Sequence, residues 1–439
     1  MNVVLIGGGG REHALAWKMM QSPRMGELWV EESANAALQA IGSVIPEPLS
    51  RKNIFAFNRW CDRSEIDLVV IGPEAPLAEG LADELGSDTR VVFGPCGAAA
   101  RLEADKSWAK SIMRSASIPT AEGRSFEDPE QAIAYVTARE EPCVIKASGL
   151  AAGKGVVVCD TCEEAVEAIN RIMGPMGPGS GEFGEAGSKV LIEERLLGQE
   201  MSVLCLVDGR NLWVLDPCQD HKQVGEGDTG PNTGGMGAYC PTPLAEPELM
   251  RLIERDVLVP TVDALRREGI TYRGVLYAGL MLTAGGPKVL EFNCRFGDPE
   301  CQPLMMRFKG DLLQALWATA VGELNEIKIE SDPRTACCVV MCSEGYPGKI
   351  RKGVPISGLA EAEAEAGENE EVVVFQAGTT PEDDELLTSG GRVLGVTALA
   401  ADLAQAQNLA NRAADQIEFS GAYFRRDIGQ RVLATSNGE

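Results

Sequence analysis

Short apolar runs separated by helix-length polar stretches open the chain. Val3–Ile6, Leu28–Val30, Ile66–Ile71 and Val91–Phe93 are strand-sized, and each is closed by Gly, Pro or an acidic residue. The first runs into Gly7–Gly10 and then into a helical stretch carrying Ala14, Leu15, Trp17 and Met19. Strands of this kind with helices between them predict a parallel α/β sheet over the first hundred residues. Ligands bind at the carboxyl ends of such strands. Those ends carry Gly7–Arg11, Gly72-Pro73-Glu74 and Gly94-Pro95.

From about Ser117 the pattern changes. Asp128-Pro129 reads as an N-cap followed by an N1 proline, opening a helix to about Arg139. Cys143–Lys146 and Val156–Val158 read as strands around a glycine loop. Thr161 and Glu164 have capping-box spacing and open a second helix, to about Met173. Residues 174–187 are Gly/Pro-rich and read as a surface loop. Val190–Glu194 is a strand, and Ser202–Val207 and Leu212–Leu215 flank the hairpin signal Asp208-Gly209. A mixed segment over 195–325 carries a helical stretch near 248–267 and strands Val275–Leu282 and Val289–Phe292. A last module beyond 330 has strands Ala336–Cys342, Val372–Phe375 and Val393–Thr397 and an amphipathic helix Leu403–Gln416. The expected fold is α/β and α+β, in several domains.

Composition narrows the function. The net charge of −25 argues against a general nucleic-acid binder, which needs a basic face. It also disfavours binding to anionic lipid. The longest apolar runs are far short of a bilayer span, and no export signal is read at the N-terminus. The expectation is a cytoplasmic protein with reduced thiols, since 13 scattered cysteines suggest no disulfide framework. Cys159 and Cys162 lack the second pair that a structural zinc site needs. Residues 361–385 hold ten Asp/Glu and no Lys/Arg, a solvated loop and strand edge expected to lie away from every motif.

Four segments carry chemistry. In Gly149-Leu-Ala-Ala-Gly153-Lys154-Gly155, glycines let backbone amides approach phosphate oxygens and a lysine adds charge. The glycine spacing is wrong for a P-loop, and three valines follow where a helix should start. A loop between two strands should fold as a flap over phosphates. In Glu291-Phe-Asn293-Cys-Arg295-Phe-Gly297-Asp298-Pro299, strand periodicity puts Glu291, Asn293 and Arg295 on one face. Two oxygen ligands suffice for Mg²⁺ when substrate phosphates and water complete the shell, and Arg295 would grip an anion. Gln219-Asp220-His221-Lys222 with Asp228–Gly237, including Asn232, Thr233 and Gly234, is too polar and glycine-rich to build core and suits a small polar ligand. Gly7–His13 breaks the dinucleotide fingerprint in both registers but leaves an amide-rich helix start.

Together these segments resemble the phosphoribosylamine–glycine ligase family of the ATP-grasp superfamily. The resemblance rests on GGREHA from Gly9, GPEAPL from Gly72, GLAAGKGV from Gly149, DTGPNTGGMGAY from Asp228, EFNCRFGDPE from Glu291 and GGRVLGVTA from Gly390, and it covers essentially the whole chain. It implies a Rossmann-like domain over 1–104, a central ATP-grasp subdomain over 105–120 and 195–325, a flap subdomain over 121–194 and a C-terminal domain over 330–432. It implies ATP, glycine and 5-phosphoribosylamine as substrates, a glycyl phosphate intermediate and Mg²⁺ or Mn²⁺ on Glu291 and Asn293. The charge leaves no nucleic acid or membrane partner, and a monomer is expected.

The resemblance also suggests roles. Lys106, Lys146, Gly149, Gly153, Lys154 and Gly155 would meet ATP phosphates, Glu193, Glu194 and Leu196 the adenine, and Glu200 the ribose. Gly9, Gly10, Arg11, Glu12, His13, Pro73 and Glu74 would meet phosphoribosylamine. Asp220, His221, Lys222, Asn232, Thr233, Gly234, Gly297 and Asp298 complete the substrate set, with Arg295 and Lys146 as catalytic residues. The chain departs from the family pattern at Gly8, at Glu32–Ala37, where two turn glycines are replaced, and at Ser148. The alternative is an ATP-grasp carboxylate–amine ligase with a different acceptor.

Overall fold

The computed structural model describes residues 1–151, 154–174 and 179–436. The N-terminal strands form one parallel sheet in the order Ser43–Val44, Leu28–Val30, Asn2–Ile6, Ile66–Ile71, Val91–Phe93. Ser43–Val44 is an extra two-residue edge strand, too short to show a pattern in sequence. Residues of Asn2–Ile6 alternate between two cores. Val3 and Leu5 join a core that continues into the centre of the molecule, whereas Val4 and Ile6 join one with Phe57, Trp60 and Leu77. Burial on both faces explains the unbroken apolar run.

The flap subdomain is an antiparallel sheet in the order Gly123–Phe126, Val190–Glu194, Cys143–Ala147, Val156–Cys159. Helices Pro129–Arg139 and Cys162–Met173 cover it. Their caps form as the sequence predicts. Asp128 accepts from the Glu130 amide at 2.9 Å, and Thr161 and Glu164 exchange the two bonds of a capping box at 3.2 and 3.3 Å.

The central sheet has the order Leu212–Val214, Gln199–Asp208, Arg273–Thr283, Gly286–Asn293, all antiparallel. The expected helix near 248–267 is interrupted. It runs Pro247–Ile253, widens to a π turn over Glu254–Leu258 and resumes at Val259–Arg267. Pro260 explains the interruption, because its ring lacks the N–H that the regular ladder needs.

The C-terminal sheet corrects one boundary. Its order is Gln219–Asp220, Gly237–Cys240, Thr335–Cys342, Arg392–Ala400, Glu371–Gln376. Two of its strands therefore come from inside 195–325, which sequence reading placed in the central unit alone. A pair of two- and four-residue strands carries no pattern strong enough to reveal a partner a hundred residues on. The acidic window is also corrected. Glu371–Gln376 is an edge strand, as expected, but the Gln376 amide donates to His13 Nδ1 at 2.8 Å. The window thus touches the first glycine motif. All 13 cysteines are free thiols.

Candidate functional site

A cavity of about 830 Å³ lies between the flap sheet, the central sheet, the N-terminal helix start and the C-terminal sheet. One end is lined by lysines. Lys146, on Cys143–Ala147, pairs with Glu193 at 2.7 Å and donates to the Leu290 carbonyl at 2.9 Å. Lys110 pairs with the other oxygen of Glu193, so two buried lysines bracket one carboxylate. Lys106 donates to the Gly149 carbonyl at 3.0 Å. Burial lowers its pKa, with Glu291 opposing and Lys146 adding to the fall. Glu194 pairs with Lys288 and accepts from the Glu122 amide, both at 2.9 Å.

Glu291 and Asn293 stand two residues apart at the end of Gly286–Asn293, on one face, opposite Gly279 and Tyr277. No described lysine or arginine pairs directly with Glu291. Burial works against its charge, but Lys222, Lys146, Lys106 and Arg295 around it win, and its pKa falls below the usual range. An ionised carboxylate beside an amide oxygen is a hard-donor pair suited to Mg²⁺ or Mn²⁺. Glu200 and Lys222, expected to face ribose and substrate separately, pair with each other at 2.9 Å.

Arginines line the other end. Arg295 lies past the strand end and pairs with Glu103 at 2.8 Å and Glu74 at 3.2 Å. Glu103 also accepts the Cys294 amide at 2.7 Å. Arg11 bonds Glu12 at 2.7 Å and the Phe296 carbonyl at 3.1 Å. Arg392 reaches in from the C-terminal sheet. It pairs with Asp298 at 3.1 Å and donates to the carbonyls of Gly234 and Asp298 at 2.7 and 2.8 Å. Pro73, Asp220, Asn232, Thr233, Gly155 and Leu196 also face the cavity.

Other expected residues lie behind the wall. The amides of Gly7 and Gly9 donate to Glu31 at 2.7 Å and Glu12 at 2.8 Å, so this helix start is occupied by the chain's own carboxylates. Gly10 presses on Gln302, where a Cβ would come within 2.9 Å of Nε2. His13 is buried against Phe375, and burial pushes its pKa down to about 4. His221 is fully buried and turned to the C-terminal segment, where Nε2 accepts from the Gly429 amide at 2.9 Å. Gly297 sits where a Cβ would collide with the Glu300 carboxylate. Gly149 packs on Ala186, Lys154 is exposed, and Gly153 lies outside the described residues. The altered turn at Glu32–Ala37 stays anchored. Asn35 donates to the carbonyls of Gly8, Gly9 and Gln376 at 2.9, 3.1 and 2.9 Å.

Sequence reasoning missed Glu103, Lys110, Glu300, Arg392 and Arg431 at the cavity wall. Arg392 stands inside GGRVLGVTA and Glu300 closes EFNCRFGDPE, so both could have been found there; the others carry no local signal.

Comparison with known proteins decides the family. Models of the phosphoribosylglycinamide synthetase N, ATP-grasp (A) and C domains match residues 1–103, 104–301 and 336–431. The chain is 47% identical to the phosphoribosylamine–glycine ligase of Rhodopirellula baltica over 443 residues, covering 99% of each. It belongs to the phosphoribosylamine–glycine ligase family. Its activity is the ATP-dependent joining of glycine to phosphoribosylamine in purine biosynthesis. The Thermotoga maritima phosphoribosylamine–glycine ligase structure is 33% identical with a TM-score of 0.82, over 98% of this chain and 100% of that one. The biotin carboxylase domain of the Hydrogenobacter thermophilus 2-oxoglutarate carboxylase, in complex with MgADP, is 16% identical with a TM-score of 0.71, over 96% and 91%. It shares the fold. Among the described residues no helix is long and apolar enough to cross a membrane.

Proposed function

We propose that the lysine end of the cavity takes ATP and the arginine end takes phosphoribosylamine. The carrying observation is that Glu291, Asn293, Lys106 and Lys146 converge from three segments onto one cavity wall. Lys106 and Lys146 would neutralise the phosphates, and the segment Glu193–Leu196 would run along adenine. Glu200, held by Lys222, would take the ribose. Mg²⁺ or Mn²⁺ on Glu291 and Asn293 would supply charge neutralisation at the transferring phosphate.

The glycine carboxylate attacks the γ-phosphate, forming glycyl phosphate and ADP. The amine of phosphoribosylamine then attacks the glycyl carbonyl and releases phosphate. Arg295, fixed by Glu74 and Glu103, orients an anion in that step. Catalysis is positioning and charge neutralisation more than covalent chemistry. The flap over 149–155 would close over the phosphates and keep water from the acyl phosphate. Thirteen free thiols fit a reducing, cytoplasmic setting, and we take the enzyme to act as a monomer.

The test is coupled ADP release with glycine and freshly made phosphoribosylamine omitted in turn. ADP should form only with both present. Glu291→Ala should lower turnover by about 10²–10³-fold; full turnover would remove the metal assignment.

A further inference from the structure

The Cys-x-x-Cys pair Cys159 and Cys162 does not close on itself. Cys159 ends the strand Val156–Cys159, and Cys162 opens the helix Cys162–Met173. The Cys162 thiol is turned to Thr137 Oγ1 on the neighbouring helix, at 3.8 Å.

Cys159 has a different neighbour. The register of the flap sheet sets Cys143 directly opposite it, with Val144 opposite Val158 and Lys146 opposite Val156. Opposed residues of an antiparallel pair point to the same face. Val144, Lys146, Val156 and Val158 line the main cavity. Cys143 and Cys159 alternate with them and enter the core under the two flap helices, where their thiols share a hydrogen bond. Opposed Cα atoms lie about 4.5–5.5 Å apart, inside the range of roughly 4.4–6.8 Å that a disulfide spans.

The two thiols differ in reach. Cys159 is fully buried, whereas Cys143, 8% exposed, faces a second cavity of about 530 Å³ beside Tyr135 and Arg139. A small reagent entering there meets Cys143 first. The shared hydrogen bond lowers the Cys143 pKa against burial, and together with burial it raises that of Cys159. The thiolate, which is the attacking species, therefore forms on the thiol that a reagent reaches.

We propose that Cys143 and Cys159 are a site of reversible disulfide formation by small-molecule disulfides, and that closing it weakens the use of ATP. Cys143 attacks one sulfur of the reagent, forming a mixed disulfide and releasing the other half as a thiol. Cys159 then attacks the Cys143 sulfur and releases the second half. Two protein thiols are oxidised, one reagent disulfide is reduced, and the two protons leave on the released thiols. Closure needs Cβ atoms about 3.8 Å apart, against about 4.5–5.5 Å for opposed residues of a ladder. It draws Val156–Cys159, the edge strand of the flap sheet, in against Cys143–Ala147. Val156 and Val158 move with it, on the face that looks into the main cavity beside Lys146. The effect on ATP rests on the assignment of the lysine end above; the disulfide does not.

The test incubates the folded, full-length enzyme with oxidised glutathione. Digestion should recover the peptides of Cys143 and Cys159 joined by a disulfide. The kcat/KM for ATP should fall by about 10-fold, the scale of a sub-ångström displacement at a positioned site, and should return on reduction with dithiothreitol. Cys159→Ala should hold glutathione on Cys143. Cys143→Ala should keep the ATP kinetics of the reduced enzyme under the same treatment, and Cys162→Ala should cross-link as the unmodified enzyme does. Cys159 joined to Cys162, or no joined peptides, would overturn the proposal and leave the ATP assignment intact. Joined Cys143 and Cys159 with kcat/KM unchanged for ATP and lowered for phosphoribosylamine would overturn the proposal through the ATP assignment itself.

Discussion

Two glycine-rich loops border the cavity, alike in composition and unlike in what holds them. The flap loop is tied at its ends by main-chain bonds. Ser148 donates to Lys189 at 2.9 Å, Gly149 to Ala186 at 3.0 Å and Ala147 to Gly155 at 2.8 Å. Its charged residue, Lys154, is exposed. The loop after His221 is locked by buried charge from the far end of the chain. Arg425 is fully buried and pairs with Asp228 at 3.0 Å and Asp427 at 2.7 Å. It also donates to the Gln223 carbonyl at 2.9 Å. Arg431 pairs with Asp228 from the other side, and His221 accepts from Gly429. Glycine lets a backbone come close to a ligand in both loops. Whether the loop is fixed there depends on side chains two hundred residues away.

The largest break in this contrast is Arg425→Ala. It leaves the half-buried Asp228 and Asp427 without their shared cation, with only Arg431 remaining on Asp228. We expect a loss of about 3–5 kcal/mol in urea unfolding, and a raised KM for substrate along with it. A loss under about 1 kcal/mol would mean that the second loop is no better anchored than the flap.

His221→Gln comes next. The Gly429 amide loses a well-placed acceptor, and we expect about 1–3 kcal/mol. The pH dependence sharpens this. Burial holds the folded pKa of His221 below its ordinary 6.5. The unfolded chain therefore binds the proton more readily, so the stability from neutral His221 is complete above pH 6.5 and is lost as pH falls below it. Unfolding midpoints of the unmodified enzyme should drop on acidification more steeply than those of His221→Gln. His13, with a folded pKa of about 4, should contribute the same sign, its share being lost between pH 6.5 and 4.

Lys154→Ala should have the smallest effect on stability. Among the described residues its side chain has no hydrogen bond or ion pair, and we expect a change within about 0.5 kcal/mol. Its effect should instead fall on the KM for ATP. A stability loss comparable with that of Arg425→Ala would erase the distinction between the loops.

The sequence by itself determined the parallel N-terminal sheet, the capped flap helices and the shared strand face of Glu291 and Asn293. Each depends on local rules: alternation along a strand, capping chemistry at a helix start, or a motif a few residues long. Strand register puts Glu291 and Asn293 on one face wherever the strand goes. Only the tertiary structure decided which motif residues reach the cavity. His13 and His221 read as polar site residues, but each sits behind the wall with its imidazole bonded to a backbone amide from the C-terminal region. Glu200 and Lys222 became one ion pair, and Arg392 and Arg431 entered the site from the last fifty residues. Such pairings join side chains far apart in the chain, and no local periodicity encodes them. The charged lining of the site, lysines and arginines held by carboxylates, exists only once those segments have packed together.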